Sequence, residues 1–285
     1  MTTECDVCSG RLRRFRHDWL SRCDGCGVLR SWLEPRIPDT ASASGIDEAR
    51  RLAGLELVRE KNNQRILGLL AGMLPPQPRL LDVGCGPGFL LSRAAAQGFE
   101  AAGVEPDANV VEVARASGAT VHHGYFPAAV PEGERFDAIV FNDVLEHIPA
   151  LAETLQASAR LLRPGGVLCL NCPDRRGFFY RTAAMLDRLG VRGPYDRMWQ
   201  AELPSPHLWY FTPANLIQAA RQAGFEHAAT AELATIELKG LWDRIRYVDD
   251  SPLLASVAAY GFSVAAYPLL RILPSDASAC VFRLG

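Results

Sequence analysis

Leu81-Asp82-Val83-Gly84-Cys85-Gly86-Pro87-Gly88 decides the fold of this chain. A short apolar run enters a glycine-rich turn, and a helix is expected over 88–97, closed by Gly98. Glycines at such a turn let backbone come close to a ligand at a helix start. The spacing is G-x-G-x-G, and Phe89 stands where a dinucleotide fold would carry its third glycine. No Gly-Lys-Ser/Thr follows, which excludes a P-loop. Asp82 precedes the first glycine by two residues. A carboxylate there suits a ligand with an ammonium group better than a pyrophosphate, whose cradle would avoid that charge.

Outward from this turn, strand and helix alternate. Strands are expected over 80–83, 99–105, 120–123, 136–142, 167–171, 225–230 and 279–283, and helices over 107–117, 150–163 and 213–223. A helix over 46–74 precedes them and is stopped by Pro75, Pro76 and Pro78. The rhythm predicts an α/β fold with a parallel sheet covered on both faces. Glu105 falls at the end of the second strand, where a carboxylate can accept hydrogen bonds from both hydroxyls of a ribose. Glycine turn and acid together point to an adenosine-type cofactor at the switch point of the sheet.

Cys5-x2-Cys8 and Cys23-x2-Cys26 have the spacing of paired zinc knuckles. Two cysteines three apart on a tight turn can aim both sulfurs at one ion, and two such turns complete a tetrahedron. Residues 1–38 are too few to bury a useful core, so a metal is the natural staple. All four positions are cysteine, which predicts structural Zn2+ rather than a catalytic ion. Residues 39–46 read as a small-residue linker, and 47–285 as the main domain. Two long stretches, 174–211 and 238–275, interrupt the strand–helix rhythm and are expected to cover the acceptor site.

Four blocks now carry a family resemblance: 81–88, Gly103-Val104-Glu105-Pro106-Asp107, Phe136 to His147, and Leu162-Arg163-Pro164-Gly165-Gly166. In order and spacing they resemble class I S-adenosylmethionine-dependent methyltransferases, most of all the branch that methylates small molecules. The cysteine module with its Pro35-x-x-Pro38 exit, and His207-Leu-Trp-Tyr-Phe211, are similar to features of bacterial members. The resemblance implies a Rossmann-like, mostly parallel, seven-stranded sheet with its last strand antiparallel. It implies S-adenosyl-L-methionine as cofactor and S-adenosyl-L-homocysteine as product. Gly84, Gly86 and Gly88, with Cys85 among them, would approach the methionine part, and Asp82 its ammonium. Glu105, followed by Pro106, would hold the ribose, and Asn142 and Asp143 would line the sulfonium. An acid that often follows the third strand is replaced by Gly124-Tyr125-Phe126, so Tyr125 and Phe126 are expected to meet the adenine by stacking or backbone contact.

A hydroxyl acceptor must lose a proton, and a base with a pKa near 7 assists. His147 and His207 are the candidates, each set against a plain loop-holding role. Asp143, Glu146 and His147 together offer a set that could bind a divalent ion, since carboxylate and imidazole suit one. Cys169 and Cys172 read as buried thiols, because strand side chains three apart face opposite ways.

The 285 residues carry a net charge of −2, with a pI near 6.3, which argues against a nucleic-acid partner. Arg11, Arg13, Arg14 and Arg16 read as a solvated face. An RNA methyltransferase gripping RNA through the cysteine module, and a regulator that only binds the cofactor, are the alternatives. Phe178, Phe179, Tyr180, Tyr195, Trp199, Trp209 and Tyr210 offer either a stacking surface for an aromatic or partly apolar small-molecule acceptor, or a small core. Leu253, Val257, Tyr260, Val264 and Leu269 are expected to pack a helix pair, with a homodimer contact as the next reading. The uncharged run 251–270 is diluted by small residues and makes a poor membrane span. The N-terminus has no leader pattern, so a cytoplasmic enzyme is expected.

Overall fold

The computed structural model describes residues 4–35, 48–246 and 252–285. The linker expected over 39–46 lies outside the described residues, as does Pro38. The cysteine module forms β1 (Leu12–Phe15), β2 (His17–Cys23) and β3 (Leu29–Ser31), three antiparallel strands. Then follow α1 (Glu48–Ala71), β4 (Arg79–Val83), α2 (Phe89–Ala96), β5 (Glu100–Glu105), α3 (Ala108–Ala116), β6 (Thr120–His123) and β7 (Phe136–Asn142). After α4 (Leu151–Leu161) and β8 (Leu162–Pro173), the first long stretch folds as α5 (Phe178–Arg188), α6 (Gly193–Met198) and β9 (Trp209–Tyr210). The chain closes with α7 (Pro213–Gln222), β10 (Phe225–Glu232), α8 (Leu241–Arg246), α9 (Leu253–Leu270) and β11 (Ala277–Leu284).

The main sheet has seven strands in the order β10-β11-β8-β7-β4-β5-β6. β4 lies parallel to both β5 and β7, and β7 to β8, while β11 inserts antiparallel between β8 and β10. The expected sheet is therefore present, with β11 the reversed strand. Side-chain alternation sorts its core into two layers. Leu81, Ile139, Phe141, Leu168, Leu170 and Phe282 face one way. Leu80, Ala138, Val140, Val167 and Val281 face the other, under Ile66, Leu67 and Leu70 of α1. Each such Val, Leu, Ile or Phe side chain contributes about 1.5–3 kcal/mol by leaving water. Cys172 sits in the first layer and Cys169 in the second, both fully buried.

The cysteine module is not a detached satellite. β9 joins its sheet, giving the order β1-β2-β3-β9, with Leu29 opposite Tyr210 and Arg30 opposite Trp209. The two-residue β9 carried no alternation long enough to mark a strand. Its pairing is extended by the Ser31 N–H donating to Leu208 O at 2.8 Å. Tyr180, Tyr195, Trp199 and Tyr210 are buried together against Leu20 and Leu29 of the module, and Trp209 is 1% exposed. These rings form a core between module and insertion, and Tyr180 and Tyr195 also reach the wall of a cleft beside Phe178.

The expected helix pair in 238–275 forms, but its packing is partial. Trp242 of α8 meets Tyr260 of α9 edge-on, at 5.6 Å between ring centroids. Leu253, Val257, Val264 and Leu269 are exposed, against the expectation that they pack. α9 runs unbroken for 18 residues and is long and apolar enough to cross a membrane by length and composition.

Candidate active site

The strand order reverses between β4 and β7, and the turns after these two strands meet. Gly84 has φ +69°, and a Cβ on it would stand 2.6 Å from Cγ2 of Val144, so only glycine lets the two turns close. Gly86 has φ +53° with nothing within 4 Å of its would-be Cβ, which leaves its backbone open to a ligand. Cys85 is buried between them, and burial pushes its thiol above the ordinary range.

Two acids flank this turn. Asp82 is 2% exposed, and its Oδ1 has no hydrogen-bond partner among the described residues. Burial, reinforced by the Glu105 charge, pushes its carboxyl up to about 8. An orphaned buried carboxylate at the carboxyl edge of a sheet fits a cationic ligand group, which would supply the missing partner. Glu105 accepts from the Gly86 N–H and from the Asp107 N–H, each at 3.0 Å. Burial raises its carboxyl, and those two N–H groups oppose the rise. Each of its oxygens has a second lone pair for a diol. Pro106 offers its carbonyl to His123 Nε2 at 3.1 Å, and Asp107 caps α3. Tyr125 is largely exposed, while Phe126 packs edge-on against Phe141 of β7. Of these two rings, Tyr125 is the one left open to a ligand.

At the tip of β7, Asn142 and Asp143 belong to an amide network that sequence reasoning missed. Asn171, directly across on β8, donates to Asn142 Oδ1 at 2.7 Å and to Asp143 Oδ1 at 3.0 Å. Asn142 in turn donates to Asn63 of α1 at 3.0 Å. Asp143 has φ +58°, and burial raises its carboxyl against the opposing charges of Arg59 and Arg244. Two asparagines ending neighbouring strands were a readable signal; Asn63, inside a long helix, gave none.

His147 and His207 come together, their ring centroids 4.9 Å apart. His147 is half-buried, and its Nδ1 lies 3.0 Å from Pro206 O. His207 is buried, with Nε2 at 3.0 Å from Gln200 Nε2 and Nδ1 lacking a partner among the described residues. Burial, with the neighbouring His147, lowers it to about 3, so it stays neutral at physiological pH. Glu146, also buried, has an orphaned Oε2, and burial raises its carboxyl well above the usual range. One ligand atom from each of Glu146, His147 and His207 lies within 4.8 Å of the others, whereas Asp143 turns to Asn171. Any divalent ion here would thus take His207 in place of the expected Asp143.

The four module cysteines also converge. Cys5 Sγ stands 3.7 Å from Cys26 Sγ, and Cys8 Sγ 3.4 Å from Cys23 Sγ. Four thiolates at zinc bond lengths sit about 3.8 Å apart around a tetrahedron. The donor set therefore fits a closed metal site, as the spacing predicted. In the basic hairpin, Arg13 pairs with Asp24 and Arg14 with Asp18 on the surface, while Arg16 turns inward over Tyr195.

Residues 53–230 match the family described as "Methyltransferase domain". The chain is similar to a protein named ubiquinone biosynthesis O-methyltransferase in Aromatoleum aromaticum, at 32% identity over 54% of this chain and 65% of that protein. A protein of the same name in Azorhizobium caulinodans is 30% identical, over 58% of this chain and 65% of the relative. The chain thus spans just under two thirds of these curated relatives. Among solved structures, a cyclopropane synthase from Mycobacterium tuberculosis shares the fold at TM-score 0.55 and 18% identity, covering 77% of this chain and 83% of that one.

Proposed function

The chain belongs to the methyltransferase-domain family, and from that membership we propose that it is an S-adenosylmethionine-dependent enzyme that methylates a small-molecule acceptor on oxygen. The observation that carries this reading is Asp82, a buried carboxylate without a partner, set beside Glu105 and an open glycine turn. Two relatives named O-methyltransferases support oxygen as the acceptor atom.

Asp82 takes the ammonium of the cofactor, and Gly84, Gly86 and Gly88 admit its methionine part. Glu105 holds the ribose hydroxyls, and Tyr125 covers the adenine side. The bound cofactor supplies an electrophilic methyl group. Asn142 and Asp143, fixed by Asn171, shape the space beside it and align the acceptor. His147 is the base. Its Nδ1 faces Pro206 O at 3.0 Å and Ser205 Oγ at 3.2 Å, which fixes the ring for proton transfer. His207 packs against it as a neutral positioning residue. Cys5, Cys8, Cys23 and Cys26 hold one structural Zn2+ that fixes the module to the insertion.

Calorimetry with S-adenosylhomocysteine tests the site. Native protein should bind it, and D82A should lose at least a hundredfold in affinity. Unaltered affinity in D82A refutes the assignment.

A further inference from the structure

A second cleft, of about 640 Å³, opens between the cysteine module and α5. It is lined by five arginines, Arg16, Arg22, Arg175, Arg181 and Arg188, and by no acid among the described residues. Arg16 is balanced by Asp187 at 3.5 Å. Arg175 is different. Its Nε is buried with no hydrogen-bond partner among the described residues. Its guanidinium and that of Arg22 both lie within 3.6 Å of the point a Cβ on Gly27 would occupy. Burial lowers the pKa of Arg175 and Arg22 adds like-charge repulsion, against the weaker opposing pull of Tyr180, Cys26 and Asp174. Two crowded cations, one of them desolvated and with an orphaned donor, are costly unless an anion joins them. Planar guanidinium forks match the oxygens of a phosphate.

The location adds to the chemistry. Arg175 lies two residues past the end of β8, and Asn171 on that strand binds both Asn142 and Asp143. Four residues of extended chain span at most about 14 Å. The Arg175 backbone therefore lies within about 14 Å of that of Asn171, a span comparable to a small organic molecule.

We propose that this cleft binds a phosphate group carried by the methyl acceptor, an inference that rests on the methyltransferase reading of the neighbouring site. Phe178 and Met185 give the cleft apolar walls for the rest of such a ligand.

The test is calorimetric titration of the whole protein with inorganic pyrophosphate in 150 mM chloride, alongside S-adenosylhomocysteine. R175Q should weaken pyrophosphate roughly tenfold to a hundredfold. R22Q and R181Q alter exposed side chains that the fold does not need, and should each weaken it about tenfold while leaving S-adenosylhomocysteine affinity unchanged. No pyrophosphate binding, or equal binding in all three variants, overturns the proposal. Pyrophosphate binding without S-adenosylhomocysteine binding removes the acceptor assignment together with the methyltransferase reading, and leaves a bare anion site. Co-sedimentation with phosphatidylglycerol vesicles that R22Q and R181Q abolish would assign the phosphate to a membrane and overturn the small-molecule source.

Discussion

Glu105 Oε2 accepts a hydrogen bond from the Gly86 N–H at 3.0 Å, so the acid that ends β5 holds the glycine turn that follows β4. One side chain thus joins the two halves of the cofactor crevice. E105A removes both the diol acceptor and the support of the turn. It is expected to lower S-adenosylhomocysteine affinity at least a hundredfold and to speed exchange of the Gly86 amide proton. E105Q keeps one acceptor oxygen and should fall between E105A and the native protein. Calorimetry and amide exchange check both variants, and equal affinity in E105A and native protein would contradict the role.

Asp82 gives a pH signature. Its carboxyl sits at about 8 in the folded chain, against the ordinary value of 3.8. A raised folded pKa means that the group stabilises the fold below about pH 4 and loses that contribution as pH climbs to 8. D82N, which cannot ionise, should therefore be more stable to unfolding than native protein at pH 8.5, by about 1–3 kcal/mol, while binding no cofactor. In native protein, pairing with an ammonium requires the carboxylate. S-adenosylhomocysteine affinity should rise by up to about tenfold per unit between pH 6 and 7, with a proton released on binding. Titration in buffers of different ionisation enthalpy measures that proton.

The metal site and β9 stand or fall together. Trp209 is 1% exposed, lies 4.2 Å beneath the Arg30 guanidinium, and donates to Ile148 O at 2.9 Å. Elemental analysis should find one zinc per chain. Stripping it with a strong chelator should lower the Tm and shift tryptophan emission to the red, because the module is one wall of the Trp199 and Trp209 core. W209A should cost about 3–5 kcal/mol. A zinc-free chain with unchanged emission would refute the coupling.

What the sequence made legible follows from range. The glycine turn, Asp82, Glu105 and the seven strands are local patterns with fixed periods, and the sheet holds them where the spacing put them. Asn63, Arg59 and Arg244 were invisible because they reach Asp143 and Asn142 from α1 and α8 through tertiary packing alone. β9 is two residues long and became a strand only because β3 offered an open edge. The aromatic run 178–211 had the composition of either a pocket or a core; Tyr180, Tyr195, Trp199 and Tyr210 pack as a core against Leu20 and Leu29, while Phe178 lines a cleft. α9 departs in the other direction, since its apolar residues stay largely uncovered.

The two histidines separate by their surroundings, His207 buried and His147 half-buried. His207 is held at about 3, well below its ordinary 6.5, by burial and by the neighbouring His147. A depressed folded pKa contributes stability above about pH 6.5 and loses it as pH falls, since the unfolded chain takes up a proton that the folded chain refuses. Native protein should therefore lose Tm between pH 6.5 and 5, and H207Q should flatten that slope. His207 can give no inflection in a rate profile measured from pH 5 to 9. If His147 is the base, H147Q should lower kcat roughly 10²–10⁴-fold with little change in KM, and remove the acid limb of the profile. H207Q should keep that limb at a reduced kcat, as expected when a packing neighbour, rather than the proton acceptor, is lost. An acid limb that survives in H147Q and vanishes in H207Q would reverse the two roles.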